Sequence, residues 1–107
     1  MNKHKKIRDR FYKGLVAFLH VVWPVFSALL GIIISFGLLI SYIEGWKPLD
    51  GIYFGFVTGL TVGYGDLVPH HALARIMALI IGFTGVLLTA LFAAVGVRAL
   101  EEAVKEE

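Results

Sequence analysis

The periodicity of apolar positions changes several times along the chain, and each change marks an element. Ile7, Phe11, Leu15, Phe18, Leu19 and Val22 recur mostly at steps of three and four, with Arg8, Arg10 and Lys13 largely off that stripe. This is the pattern of a helix lying in a membrane interface. Residues 1–6 show no such stripe and read as disordered, so that 1–23 forms an N-terminal interfacial segment. From Pro24 to Ile43 there are 20 residues without a charge, about 30 Å of helix, which is one hydrocarbon thickness. Pro24 suits the first turn of a helix. Trp23 at one end and Tyr42 with Trp46 at the other suit the two membrane–water boundaries. The spacing predicts a break at Pro24; the alternative is one helix from about residue 11 to 43, kinked at the proline.

After a polar connection at residues 44–50, the stretch 49–60 reads as a helix too short to span a bilayer. Gly51, Gly55 and Gly59 recur every fourth residue in it. Glycine weakens a helix, so this one must be held by neighbours, and its small face admits a close backbone. Residues 72–97 form a second crossing of 26 residues, with Arg75 and Arg98 near its ends and no charge between them; that length implies tilt. Ala78, Gly82, Gly85, Thr89, Ala93 and Gly96 make a stripe of small residues along it. Residues 98–107 continue as a short charged helical tail. The pattern predicts an all-α membrane protein: two transmembrane helices, 24–43 and 72–97, flanking a re-entrant helix.

Composition agrees. Hydrophobic residues make up 58% of the 107 and mean hydropathy is +0.79, which excludes an ordinary soluble domain. There is no cysteine, so disulfides and thiolate metal sites are excluded. Six Lys/Arg fall in residues 1–13 against the single acid Asp9. Beside a membrane segment, such a cluster suits anionic lipid head groups better than nucleic acid. Because basic residues precede an apolar run, a signal peptide must be weighed, but the run is longer than an h-region and lacks a cleavage site. Eight Lys/Arg lie on the terminal side of the crossings and two, Lys47 and Arg75, on the loop side. The positive-inside rule puts both termini in the cytoplasm. No nucleophile, base and orienting group occur together, so an enzyme is not expected.

Between the short helix and the second crossing lies Thr61-Val62-Gly63-Tyr64-Gly65-Asp66. Glycines at alternate positions allow backbone dihedrals that a side chain forbids, and such a strand can turn successive carbonyls the same way. Irregular backbone at bilayer depth must be buried in protein or line a wet cavity. Several copies around an axis would stack rings of oxygens able to replace the water shell of a cation.

These six residues, between an outer apolar segment with its short helix and an inner one introduced by Leu67-Val68-Pro69, resemble the selectivity filter of potassium channels, a loop used as a general example of ion selectivity. Over nearly its whole length the chain resembles a two-transmembrane, pore-only potassium channel of bacterial type. The resemblance implies a homotetramer in the cell membrane, with 49–60 as pore helix, 61–66 as filter and 72–97 as inner helix. It implies K+ held by the carbonyls of Thr61, Val62, Gly63 and Tyr64 and by the Thr61 hydroxyl. Gly65, Asp66, Tyr53 and Thr58 would support the filter, with Tyr53 donating to Asp66 and Thr58 facing the Tyr64 hydroxyl. Gly85 falls at the family's flexible inner-helix position, a gating hinge candidate, while Thr89 and Ala93 are candidates for lining the cavity. The sequence departs from the family at Tyr53 and Phe54, where paired tryptophans are frequent, at Val57, where some members carry a carboxylate, and at Leu60, where a second threonine is common. Fewer hydrogen bonds behind the filter are expected. The function implied is passive K+ conduction; the alternatives are a less selective cation channel and a non-conducting membrane scaffold. His70 and His71, outside the filter, are candidates for sensing external pH.

Overall fold

The structure, a computed structural model, describes residues 2–105. Three helices follow in order: α1 (Asn2–Glu44), α2 (Pro48–Gly59) and α3 (Ala72–Lys105). Among the described residues there is no strand. α1 and α3 are long and apolar enough to cross a membrane. α2, at 12 residues, is about 18 Å long and is not.

The expected break at Pro24 does not occur, for α1 runs through it as one helix of 43 residues. Proline removes one donor, the amide that would bond the carbonyl four residues back. Apolar sequence lies on both sides, and transmembrane helices tolerate such an interruption. Nor are the first residues irregular as expected: the helix begins at Asn2, in a stretch where lysines are good helix formers. Met1 lies outside the described residues. The charged tail is helical to Lys105 as an extension of α3, and residues 106–107 lie outside the described residues.

α1 ends because Gly45 takes a left-handed φ of 75°. The Trp46 amide then reaches back to the Ser41 carbonyl at 2.8 Å, the capping pattern that satisfies a helix C-terminus. The Trp46 ring meets Phe54 edge-on, 5.4 Å between centroids. α2 starts with Lys47 in an extended cap conformation and Pro48 in the first turn, where a missing N–H costs nothing.

The chain forms two compact units, residues 27–89 and residues 1–26 with 90–107. In the first, Ile33, Ile40, Phe54, Ala74, Met77 and Ile81 form the core. The glycine face of α2 packs into it at three levels. A Cβ on Gly51 would collide with the Gly37 carbonyl, and one on Gly55 would lie 3.0 Å from the Ile33 carbonyl. A Cβ on Gly85 of α3 would collide with the backbone of Gly59. The short helix is therefore wedged against both long ones by backbone-to-backbone contact. In the second unit, Phe26 meets Phe92 edge-on at 6.1 Å, and Gly14 faces Ala99, to whose Cα a Cβ would come within 3.6 Å.

Candidate functional site

The wedge delivers the C-terminus of α2 to the start of the Thr61–Asp66 loop. The last carbonyls of the helix are capped by the loop itself. Leu60 N–H donates to Phe56 O at 2.8 Å and Thr61 N–H to Thr58 O at 3.1 Å. The Val57 carbonyl accepts from both Val62 (2.9 Å) and Gly63 (3.3 Å). The first loop residues are thus tied to the helix through their amides, which leaves their own carbonyls out of these bonds.

The backbone beyond alternates in hand. Thr61, Gly63 and Gly65 have φ of 63°, 57° and 82°, whereas Val62 and Tyr64 are not in that region. Reversing the hand at every second residue is the kind of change that lets successive peptides depart from the usual strand alternation. A positive φ is inexpensive for glycine but costly for a β-branched residue such as Thr61. Its hydroxyl donates to the Leu60 carbonyl at 2.6 Å, which leaves the oxygen lone pairs for another partner. Backbone strain concentrated at one short loop is characteristic of a working site.

Two braces hold the far end. The Tyr53 hydroxyl donates to Asp66 Oδ2 at 2.9 Å, and the Leu67 amide donates to Asp66 Oδ1 at 3.1 Å. Asp66 therefore links loop and α2. Among the described residues, the expected pairing of Thr58 with the Tyr64 hydroxyl does not form. Tyr64 is 70% exposed in the single chain. Phe54 instead is buried against Trp46.

The second brace involves a residue that the sequence reading passed over. Glu44, the last residue of α1, keeps only 3% of its side chain accessible. Its Oε2 accepts from the amides of His70 (2.9 Å) and His71 (2.8 Å) and lies 2.7 Å from His71 Nδ1. Glu44 lies beyond the uncharged run, at the C-terminal end of its helix. Burial works against its ionisation, but the amides of His71 and His70 and then the His71 ring outweigh that and hold its carboxyl at about 2. Arg75 completes the clamp, with Nε donating to Pro69 O at 3.1 Å. The loop after Asp66 is thus pinned to the end of α1 and to the first turn of α3.

The structure brings Thr61, Val62, Gly63, Tyr64, Gly65 and Asp66 together with Tyr53 and Thr58 at one end of α2. Gly85 does not reach the loop; it lies under α2 against Gly59. Thr89 and Ala93 are exposed on α3, one turn apart. Among the described residues no cluster of His, Asp and Glu fit to hold a metal ion occurs.

The profile of a family described as "Ion channel" matches residues 18–102. The chain is 34% identical over 90 residues to two pore potassium channel a of Oryza sativa subsp. japonica, covering 81% of this chain and 26% of that protein. It is 41% identical over 56 residues to potassium channel subfamily K member 4 of Rattus norvegicus, covering 52% and 14% respectively. With potassium channel subfamily K member 17 of Homo sapiens it shares 55% identity over 31 residues, 29% of this chain and 9% of that one. The chain therefore spans about a quarter or less of the length of these relatives. No solved structure matches it. With two helices able to cross a membrane and a profile match over most of its length, the chain is a membrane protein that belongs to the ion channel family.

Proposed function

We propose that this protein is a potassium-selective channel that conducts K+ passively through a pore at the axis of a homotetramer. The observation that carries the reading is the alternation of left-handed φ at Thr61, Gly63 and Gly65, within a motif that resembles the potassium filter. Four such strands facing one another would offer rings of carbonyl oxygens from Thr61, Val62, Gly63 and Tyr64. The Thr61 hydroxyl would close the inner end. Oxygen rings of this kind stand in for the hydration shell of K+, and several similar sites in a row let ions leave as readily as they enter. The names of the relatives, all potassium channels, support the choice of ion.

Asp66, repeated four times at the mouth, would concentrate cations there. Thr89 and Ala93, with the small residues of α3, would line the cavity on the inner side. Gly85 remains a hinge candidate, with its packing against Gly59 as the competing duty. The basic start of α1 would lie against anionic lipid at the cytoplasmic face, with both termini inside the cell and the filter mouth outside.

Purified protein in liposomes separates the possibilities. K+ flux with Na+ excluded is the expected result. Equal K+ and Na+ flux would replace this reading with a less selective cation channel, and no flux of either would leave a membrane scaffold.

A further inference from the structure

Along the C-terminal part of α3, Ala90, Ala93, Val97, Leu100 and Val104 follow one another at steps of three, four, three and four. That is the heptad spacing of a coiled-coil seam, with Ala90, Val97 and Val104 at position a and Ala93 and Leu100 at position d. All five are exposed in the single chain, Val97 at 55% and Leu100 and Val104 at 51% each. Val95, Ala99 and Ala103 of the same stretch are buried. At about 100° per residue they lie on the opposite side of the helix, where Gly14 of α1 meets Ala99. The seam is therefore not the face that α3 gives to its own chain. Arg98, Glu101, Glu102 and Lys105 share a third side, and four charges in eight residues carry this end of the helix out of hydrocarbon. Lipid tails can cover Ala90 and Ala93 but do not reach Leu100 and Val104, whose apolar surface gains by leaving water. What covers a heptad seam is a helix with the same repeat. Membrane insertion sets every copy of this chain with α3 pointing the same way, so copies meet in parallel.

We propose that the α3 ends of two copies pair as a short parallel two-stranded coil along Val97, Leu100 and Val104, so that four chains end in two pairs and not in one ring. The count of four rests on the channel reading given above; the pairing itself needs only two copies. The side chains choose the number of strands. A β-branched residue at a with Leu at d favours two strands, whereas Ile at both positions favours more. Here a is Val97 and Val104, and d is Leu100. A seam of two heptads is marginal for free chains, but chains gathered in one assembly meet at an effective concentration on the order of millimolar. A pore that is fourfold at the Thr61–Asp66 loop is then twofold at the C-terminal ends of α3, and the ion path passes between the two pairs.

The chain has no cysteine, so introduced thiols are the only ones. Val97→Cys with Val104→Cys places two on the seam, one heptad apart. In a two-stranded coil each thiol faces its counterpart in one and the same partner, within the roughly 4.4–6.8 Å between Cα atoms that a disulfide needs. The full chain in liposomes is oxidised with copper phenanthroline and read on a denaturing, non-reducing gel. It is expected to shift to twice the single-chain mass and no further. Arg98→Cys with Lys105→Cys has the same spacing on the charged side and is expected to stay at the single-chain mass. In a fourfold bundle the two thiols of one chain reach different neighbours, so a ladder extending to four chains would overturn the twofold pairing and leave the homotetramer standing. Equal linkage from the two double variants, or none from either, would overturn the seam and leave this face to lipid or to another protein. The mass of the unoxidised assembly in detergent is a separate reading: two chains in place of four would refute the tetramer and not the pairing. Ala93→Cys with Leu100→Cys, at the d positions, repeats the test should the first variant fail to fold.

Discussion

Tyr53 and Asp66 lie 13 residues apart and meet at 2.9 Å. The pair was legible because each residue sits at a fixed place relative to the filter motif. Tyr53→Phe removes the donor and keeps the ring, so Asp66 holds the loop through the Leu67 amide alone. K+ currents are expected to decay several-fold faster during sustained opening, with the ratio of K+ to Na+ permeability unchanged; unaltered decay would show that the brace does not govern the filter. Glu44 was not legible in the same way, because its partners are main-chain amides 26 and 27 residues on. A signal was nonetheless present: a carboxylate at a helix C-terminus opposes the helix dipole, so an acid there needs a partner elsewhere. The carboxyl is held down from 4.5 to about 2, so the clamp's contribution is fully present above about pH 4.5. It is lost as pH falls through about 2. An acid titration followed by Trp46 fluorescence is expected to show a transition in that window, and Glu44→Gln to remove it while destabilising the loop after Asp66 at neutral pH.

At the scale of elements, the three glycines of α2 announced a small face, and the structure supplies what approaches it: Gly37 and Ser41 at one level, Ile33 at the next, Gly85 at the last. Spacing revealed the face but not its partners, since those depend on how α1 and α3 pack. The same limit applies to Pro24, where local rules favour a helix start but apolar sequence on both sides carries the helix through. Gly85 illustrates the consequence for gating. A Cβ there would enter the Gly59 backbone, whereas Gly82 and Gly96 face open space within one chain. Gly85→Ala is expected to destabilise the protein by about 1–3 kcal/mol or more, the usual cost of overpacking, and to disturb the filter through Gly59. Gly82→Ala is expected to leave thermal stability in detergent unchanged. A loss of opening in Gly85→Ala therefore does not by itself identify a hinge. Normal thermal stability of Gly85→Ala with altered opening would favour hinge over packing.

At the scale of the whole molecule, the proposed pore needs more than one chain, since one strand supplies only one wall of it. The loop is exposed from Thr61 to Asp66, with Val62 at 48% and Tyr64 at 70% accessible, although its alternating backbone is already formed. In the proposed arrangement, carbonyls on one side of the loop would gather oxygen dipoles that repel one another, and among the described residues no donor bonds them. A cation at a shared axis neutralises that repulsion, and it exists as a ligand only once several strands converge. Ion binding and assembly are then linked: an ion that binds the assembled filter and not the separated chains shifts the equilibrium towards assembly, by about 2.7 kcal/mol at a hundredfold excess over Kd. Selectivity should therefore be visible without any measurement of current. The tetramer is expected to dissociate at a higher temperature in K+ than in Na+ at equal ionic strength, with the gap growing as the logarithm of K+ concentration. Gly65→Ala forces a side chain into a backbone with φ of 82° and is expected to shrink the gap by weakening the ion sites. A dissociation temperature identical in the two salts would mean that the assembled loops do not distinguish K+ from Na+, and the account of the filter given above would fail with it.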